Sequence, residues 1–146
     1  MSKTSQRVPR PSYKANASAA PPIPPRPVDS AGVPYPDRLN DERAIAAYIA
    51  TLSPRYVDEQ FVEEAFWGGC AVLRLLPVTD VREGHADGNI RSVEKERRYR
   101  RLPAETLPPI LVEDGETQDG NHRLRLQRDR GQTHVWVYDV HYPDDA

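Results

Sequence analysis

The stretch LPPILVEDGETQDGNHRLRLQRDRG, residues 107–131, decides the fold of this chain. PPILVED predicts a strand with Pro108 and Pro109 at its start, because proline is tolerated at the first position of a strand but not in its middle. ETQDG predicts a turn, with a short strand around Thr117. NHRLRLQRDRG predicts a helix that ends at Gly131, since glycine is favoured just after the last helical residue. The stretch therefore indicates a strand, a turn and a helix in succession.

A last strand follows this helix. In THVWVYDV, Val135 and Val137 alternate with Trp136 and Tyr138, which is the period of a strand. The two aromatic residues share one face, and we expect that face to pack in the core or against neighbouring helices.

The preceding segment supplies the first strand of the same layer. CAVLRLLPVTDV, residues 70–81, predicts a strand that ends near Pro77. Residues 82–89 contain two glycines and predict a loop, and residues 91–102 predict a short helix. This order of elements predicts a small α/β or α+β layer structure over residues 70–146.

Residues 39–69 predict a helical N-terminal extension. The first helix begins near Leu39, and the second begins at Ser53, a favoured N-cap residue, with Pro54 in the first helical position. The predicted apolar stripe of the second helix consists of Tyr56, Phe61, Ala65 and Phe66. We expect the two helices to cover one side of the sheet.

Residues 1–38 are predicted to be a disordered, proline-rich tail. Nine of the 15 prolines lie in the first 37 positions, and large aliphatic residues are scarce there. Such a composition favours polyproline II structure without a core of its own. PPIPPRP, residues 21–27, resembles a ligand for aromatic-lined grooves. Two interpretations stay open: a solvated tail, or a segment that recruits a protein partner.

Composition excludes several classes of protein. The net charge of −2 provides no uniform positive field, although local basic patches remain. The single cysteine, Cys70, cannot form a disulfide within the chain, which fits a reducing compartment. No apolar run approaches the ~20 residues that span a bilayer. We therefore predict a cytoplasmic protein without membrane partners. Its histidines and Cys70 lack the spacing of a metal site.

The turn into the predicted helix, residues 119–124, is the candidate functional site. We expect Gly120 to permit the bend and Asn121 to cap the helix. The free amides of the first turn attract anions, phosphate above all. Arg123 adds a guanidinium suited to phosphate oxygens, and His122 can donate a hydrogen bond or transfer a proton near neutral pH. The structural alternative is that His122 and Arg123 are surface residues paired with nearby acids.

These residues resemble the ParB/sulfiredoxin-like superfamily, over roughly residues 70–141. In that superfamily a strand beginning near Pro-Pro leads to a Gly-X-X-Arg turn at a helix N-terminus. Asp-Gly-Asn-His-Arg, residues 119–123, is similar to the Asp-Gly-X-His-Arg pattern of ParB-like kinases of free serine. The resemblance implies a small mixed-sheet α/β domain whose turn, Gly120, Asn121, His122 and Arg123, binds nucleotide phosphates. It also implies a catalytic acid in the loop after the first strand, with Glu83 the first candidate and Asp80 the second.

The chain departs from two branches of this superfamily. Sulfiredoxins carry Gly-Cys-His-Arg, and Asn121 stands in place of their reducing cysteine. ParB partition proteins carry Gly-Glu-Arg-Arg, and here Asn121 and His122 replace the central pair. We therefore expect neither sulfinic acid reduction nor the activity of a complete partition protein.

The sequence leaves three functional hypotheses, and with them the question of whether the protein is an enzyme. The first is binding of ATP or another nucleoside triphosphate or diphosphate with Mg²⁺, with phosphotransfer or hydrolysis in which His122 polarises the phosphates and Glu83 or Asp80 acts as base. The second is a DNA- or RNA-binding or nuclease-like accessory protein that uses the arginine-rich helix of residues 91–102, whose Arg98 could instead help to hold nucleotide phosphates. The third is an adaptor whose tail binds a partner.

Overall fold

The computed structural model describes residues 23–52, 58–84, 93–103 and 106–143, without the side chains of residues 93–96. Its strands are β1 (Arg38–Leu39), β2 (Cys70–Pro77), β3 (Ile110–Glu113), β4 (Glu116–Asp119) and β5 (His134–His141). Its helices are α1 (Glu42–Leu52), α2 (Glu59–Ala65), α3 (Val93–Arg100) and α4 (Asn121–Asp129), with a short 3-10 helix at Val78–Asp80.

The five strands form one mixed sheet in the order β1-β2-β5-β3-β4. The β2–β5 ladder is antiparallel and runs from Cys70 opposite His141 to Pro77 opposite His134. β3 pairs with β5 in parallel, and α4 lies between β4 and β5 along the chain. The predicted α/β class with a mixed sheet is confirmed, and Pro77 ends β2 as expected.

The sheet is covered on both faces, which makes a three-layer structure. On one face α1 packs on a core of Leu39, Ile45, Tyr48, Phe66, Ala71, Leu111, Tyr138 and Val140. On the other face α4 contributes to a core of Val81, Ile110, Val112, Leu124, Val135 and Val137. A smaller cluster of Tyr99, Leu107 and Leu126 joins α3 to α4. The expectation that the N-terminal helices cover one side is therefore confirmed.

The N-terminal elements differ from their predictions in detail. No helix begins at Leu39. Leu39 lies in β1, where it pairs with Ala71 of β2, and its side chain is buried in the core beneath α1. The carboxylate of Asp58 caps α2, and the predicted start at Ser53 lies outside the described residues. The predicted apolar stripe is wrong for Phe61, which is 69% exposed, and for Ala65, which is also exposed. The short α2 contacts the core only through Val62 and through its C-cap residue Phe66. Tyr56 is also outside the described residues.

Residues 23–37 form a proline-rich hairpin, which we call the strap. Its two arms meet at an isolated bridge between Val28 and Pro34. Its turn is closed by Asp29, whose carboxylate accepts a hydrogen bond from the amide of Val33 at 3.0 Å. The strap is therefore a compact unit with its own internal hydrogen bonds.

Two aromatic residues of β5 hold the strap on the sheet. The indole Nε1 of Trp136 donates to the carbonyl oxygen of Pro24 at 3.0 Å, and the hydroxyl of Tyr138 donates to that of Pro36 at 2.7 Å. Pro27 is buried, with less than 2% of its surface exposed. The strap thus extends the layer that α1 forms on this face.

The prediction of a disordered tail over residues 1–38 is wrong for residues 23–38. That prediction considered only the apolar content of the segment itself. It did not include Trp136 and Tyr138 of β5, which donate hydrogen bonds to the carbonyl oxygens of Pro24 and Pro36. Residues 1–22 lie outside the described residues. None of the helices in the described ranges combines the length and the apolar character that a membrane crossing requires.

Candidate functional site

The N-cap residue of α4 is Gly120, whereas the sequence predicts Asn121 in that position. Gly120 has a φ of 123° and occupies the N-cap position, and it has no side chain to cap the helix. A Cβ here would lie 2.9 Å from Nη2 of Arg123 and 3.1 Å from Cγ2 of Ile110. Glycine is required both by this backbone angle and by the close approach of these two side chains.

Asn121 performs a different task from the predicted one. It is the first helical residue and is buried. The oxygen and the nitrogen of its side chain both form hydrogen bonds with the backbone of Gly84. Oδ1 accepts from the amide of Gly84 at 3.0 Å, and Nδ2 donates to its carbonyl oxygen at 3.3 Å. The capping prediction for Asn121 is wrong, because Gly120 already occupies the cap position and leaves the amide side chain free to hold the neighbouring loop.

The segment after the 3-10 helix runs beside β4 to reach Gly84. The amide of Arg82 donates to the carbonyl of Gly115 at 2.8 Å, and the amide of Thr117 donates to the carbonyl of Arg82 at 2.9 Å. A Cβ on Gly84 would lie 1.8 Å from the carbonyl oxygen of Thr117, so this position admits only glycine. The fold therefore places Glu83, one residue earlier, near the first turn of α4.

Arg123 points into the protein, with 3% of its side chain exposed. Its Nη2 donates to the carboxylate of Asp119 at 2.7 Å. Its Nη1 donates to the carbonyl oxygens of Pro108 and Pro109, at 3.0 and 2.9 Å. Both terminal nitrogens are thus engaged by groups of the chain, and in this arrangement they face away from any ligand in solvent.

Tyrosine rings complete the surroundings of Arg123. Its guanidinium carbon lies 5.9 Å from the centre of the Tyr99 ring, within the range of a cation–π contact. Tyr48 is buried nearby and its hydroxyl donates to the carbonyl of Pro109. Burial disfavours the charge on Arg123, but the Asp119 carboxylate and these tyrosines raise its pKa overall. Arg123 is therefore a permanent buried cation that joins α4 to the start of β3.

Glu83 forms an ion pair with two arginines of α4. Its Oε1 accepts from Nε and Nη2 of Arg125, at 3.0 and 2.7 Å, and its Oε2 lies 3.5 Å from Nη1 of Arg128. The hydrogen bonds from Arg125 lower the pKa of Glu83 below its usual value, with smaller contributions from the charges of Arg125, Arg128 and His122 and with burial opposing them. A carboxylate held in its ionised form by two cations is a poor general base.

Arg125 is not among the site residues that the sequence predicts. Its side chain is 25% exposed, and its Nη1 atom is buried without a hydrogen bond to any acceptor in the described part of the chain. An unpaired buried donor is costly, which marks this atom as one that an acceptor would stabilise. Only the fold brings Arg125 to Glu83, 42 positions earlier, so no local pattern could have identified it.

Three other residues were predicted for this site: His122, Asp80 and Arg98. His122 is buried in the first turn of α4, with 8% exposure. Asp80 is exposed beside Gly115, at the opposite end of β4 from Gly120, so the fold does not bring it to the turn. Arg98 is exposed on α3, with its guanidinium 5.5 Å from the centre of the Tyr99 ring.

Exposed arginines lie on α3, just after it and on α4, at Arg97, Arg98, Arg100, Arg101 and Arg128. Arg130 of α4 donates to the carbonyls of Arg100 and Leu102, at 3.0 and 3.1 Å, and so satisfies the C-terminal end of α3. Arg100 also lies 3.3 Å from Asp129. Arg97, Arg98 and Arg101 form no ion pair with any side chain that the structure describes. Among the described residues, no group of three or more His, Cys, Asp or Glu side chains is placed to hold a metal ion.

The chain was compared with family models, curated proteins and solved structures. No protein-family model and no curated protein matches the chain. Among solved structures, the chain is similar to the C2221 form of a Pnob8-like ParB-N domain, with 14% sequence identity and a TM-score of 0.36. The similarity covers 49% of this chain and 30% of that chain, so this chain spans less than a third of the length of that protein.

Proposed function

We propose that this domain binds a phosphate-bearing ligand, in particular a nucleotide such as ATP or ADP, beside the first turn of α4. The observation that carries the proposal is the buried, unpaired Nη1 of Arg125. It lies one turn into a helix whose first turn contains no acidic residue and whose N-cap is glycine. The amides of Asn121 and Arg123 lie in the first turn of α4, whose N–H groups have no acceptor within a helix. A phosphate at this end would satisfy these donors and complement the helix dipole.

The roles of the residues in this proposal differ from those implied by the family resemblance. Arg125, rather than Arg123, supplies the guanidinium, because Arg123 is buried and paired with Asp119. Mg²⁺ would be bound by the phosphates of the nucleotide, since the described residues provide no cluster of metal ligands. Gly120, Asn121 and His122 contribute backbone amides, and Arg123 fixes the turn that presents them.

Glu83 acts in this proposal as a counter-ion that a phosphate displaces. It occupies Nε and Nη2 of Arg125, the donors that a phosphate oxygen would need. An incoming dianion competes with one carboxylate for Arg125 and Arg128. Glu83→Gln should therefore strengthen nucleotide binding. If Glu83 were instead the general base of phosphotransfer, the same variant would keep its affinity and lose turnover.

A thermal-shift screen tests the proposal with ATP, ADP, CTP and GTP, each with and without Mg²⁺. A ligand at about 100 times its dissociation constant adds about 2.7 kcal/mol to the free energy of unfolding. We expect at least one nucleotide to raise the melting temperature, and Arg125→Ala to remove most of that rise. Arg101→Ala, at an exposed position at the end of α3, is the control and should keep it. The absence of a shift with every nucleotide would refute the proposal.

A second candidate function is contact with a nucleic acid backbone through α3. The observation that favours it is the exposure of Arg97, Arg98 and Arg101, which form no ion pair with a described side chain. Binding of this kind weakens steeply with added salt, by a log–log slope of about −0.9 per phosphate contact on duplex DNA. Binding of duplex DNA and of single-stranded RNA at increasing salt concentrations tests it. The double substitution of Arg97 and Arg101 by alanine should reduce the slope by roughly two.

A further inference from the structure

The outer side of α2 exposes two aromatic side chains. Phe61 is 69% exposed and Trp67, one residue after the C-cap, is 74% exposed; in the described ranges these are the two most exposed large apolar residues. Residues three apart are neighbours on a helix surface, so Glu64 is the neighbour of both rings. We call the row Phe61, Glu64 and Trp67 the α2 ridge. Exposed aromatic residues grouped on one element are typical of an interaction surface.

Hydrogen bonds hold Trp67 in this exposed position. Its amide donates to the carbonyl oxygen of Glu64 at 3.3 Å, which continues the winding of α2. The amide of Gly68 donates to the carboxylate of Glu42 on α1 at 2.9 Å. The indole therefore stays outside the core as part of a closed turn, although Phe66, the residue before it, is buried.

The charge around the α2 ridge is negative. Residues 58–65 contain four acidic residues and no basic one. Glu63 lies 3.9 Å from Arg43 of α1. Glu59 and Glu64 are exposed and form no ion pair with a described side chain. Like charge disfavours nucleic acid and anionic lipid at this surface, whereas a guanidinium pairs with carboxylates and also stacks on aromatic rings.

The same chain carries a complementary surface on α3. Residues 97–101 contain four arginines and no acidic residue. Arg97 and Arg101 are exposed, lie one helical turn apart and form no ion pair with a described side chain. Tyr99 between them is buried against Leu126 of α4, which fixes the orientation of this segment. Two unpaired guanidiniums near α3 thus match two unpaired carboxylates of α2.

The two surfaces lie on opposite sides of the sheet, so a single chain cannot bring them together. α2 packs on the core of one face through Val62 and Phe66. α3 packs on α4, which covers the other face. A contact between the two surfaces therefore joins two copies, with α2 of one copy on α3 of the next. Such a contact is head-to-tail, because each copy contributes a different surface.

We propose that a second copy of this chain binds the α2 ridge through Arg97 and Arg101. A guanidinium of one copy pairs with the carboxylate of Glu64 in the other and stacks on the rings beside it. Because the paired charges lie at the surface, the contact is weak and salt weakens it further. It uses arginines that the second candidate function assigns to nucleic acid, so the two occupants compete. It does not use the proposed nucleotide site, and Arg125→Ala should leave it unchanged.

Sedimentation equilibrium of the full-length chain, at low salt and without nucleic acid, measures the contact. We expect the average mass to rise with protein concentration, and Trp67→Ala or Glu64→Arg to weaken the association by about tenfold or more. Two controls should associate like the wild-type chain. Val33→Ala shortens an exposed apolar side chain of the strap, and Asp80→Arg makes the same change of charge at a different exposed position. All four positions are exposed, so the variants should fold.

A mixture of two variants tests the head-to-tail arrangement. Arg97→Glu should lose the association as Glu64→Arg does, because each substitution places like charges in the contact. An equimolar mixture of the two variants should associate again, since the intact α3 of the Glu64→Arg chain meets the intact α2 ridge of the Arg97→Glu chain.

Three results would overturn the proposal. They are a wild-type chain that stays monomeric up to about 1 mM, an Arg97→Glu chain that associates like the wild-type chain, and a mixture of the two variants that stays monomeric. A monomeric chain that binds an arginine-rich peptide through the α2 ridge would equally overturn it, because the occupant would then belong to a different protein.

Discussion

Arg123 shows how one buried cation organises the region around it. It is satisfied at one side by Asp119, four positions earlier in the chain, and at the other by the carbonyls of Pro108 and Pro109. These prolines precede β3, so the guanidinium joins the start of a central strand to the start of α4. Removing one member of a buried pair leaves the other charge uncompensated, which costs more than the pair contributes.

Arg123→Met should therefore lower the free energy of unfolding by about 3 kcal/mol or more, because Asp119 loses its partner and two proline carbonyls lose their donor. Chemical denaturation measures the change. Arg101→Ala removes an exposed arginine and should change stability by less than about 0.5 kcal/mol. Equal effects of the two substitutions would contradict the structural role of Arg123.

Alanine substitutions at two glycines distinguish the stability cost of a steric clash from the cost of an unfavourable backbone angle. Gly84→Ala should be severely destabilising, by about 3 kcal/mol, because its Cβ would lie 1.8 Å from the carbonyl oxygen of Thr117. Gly131→Ala meets no atom within 4 Å, but its φ of +75° costs an alanine about 1–2 kcal/mol. Denaturation midpoints of the two variants should therefore rank Gly84→Ala as the less stable. The reverse order would mean that the segment before residue 85 does not lie against β4.

At the scale of elements, the ion pair of Glu83 attaches the segment after β2 to α4. The pKa of Glu83 is lower in the folded chain than in the unfolded chain, mainly because Arg125 donates to it. Such a group contributes stability above its unfolded pKa, and this contribution is lost as the pH falls through the folded pKa. More than a third of the side chain is exposed, so solvent screens the pair and its contribution is small.

Glu83→Gln should therefore be slightly less stable than the wild-type chain near pH 7. The difference should narrow below about pH 4.3, the usual pKa of a glutamate, as the wild-type carboxylate becomes protonated. Thermal unfolding of both chains between pH 7 and pH 3 measures the difference. Salt at about 0.5 M should also narrow it, because exposed charges are screened. A difference that stays constant over this pH range would show that the charge of Glu83 has no role in it.

Elements with a strong local signal could be predicted from the sequence. β3, α4 and β5 follow from the prolines before residue 110, the helix ending near Gly131 and the alternation in THVWVYDV. α2 could not be predicted well, because a short helix at the margin of a layer buries few side chains and Phe61 is left exposed. Asn121 was misassigned for a related reason. Cap preference favours asparagine, but the contact with Gly84 that determines its role comes from a segment 37 residues away.

The candidate site could be predicted in position but not in orientation. The motif at residues 119–123 correctly marks the start of α4. Whether Arg123 faces solvent or core depends on where the carbonyls of Pro108 and Pro109 lie, which is a property of the assembled sheet. The spacing of Asp119 and Arg123 was the available signal, since residues four apart at a helix start can form an ion pair.

On the scale of the whole molecule, the strap belongs to the folded domain. A chain that begins at Arg38 lacks the strap and should be less stable than one that begins at Ile23. The loss should be about 2 kcal/mol for the two hydrogen bonds from Trp136 and Tyr138, or roughly 5–10 °C in melting temperature. Calorimetry of the two truncated chains measures it. Identical melting temperatures would show that residues 23–37 do not dock on the sheet.

The pairing of β2 with β5 also has a consequence for synthesis on the ribosome. These strands are neighbours in the sheet, yet Cys70 and His141 are 71 positions apart. The parallel neighbour of β5, β3, likewise has no central partner until β5 has left the exit tunnel. A nascent chain therefore exposes an unpaired edge of β2, and later of β3, until β5 is available, and contacts between such distant residues form slowly. Chaperones that shield apolar strands should associate with nascent chains that end before residue 134 and release chains whose β5 has left the exit tunnel.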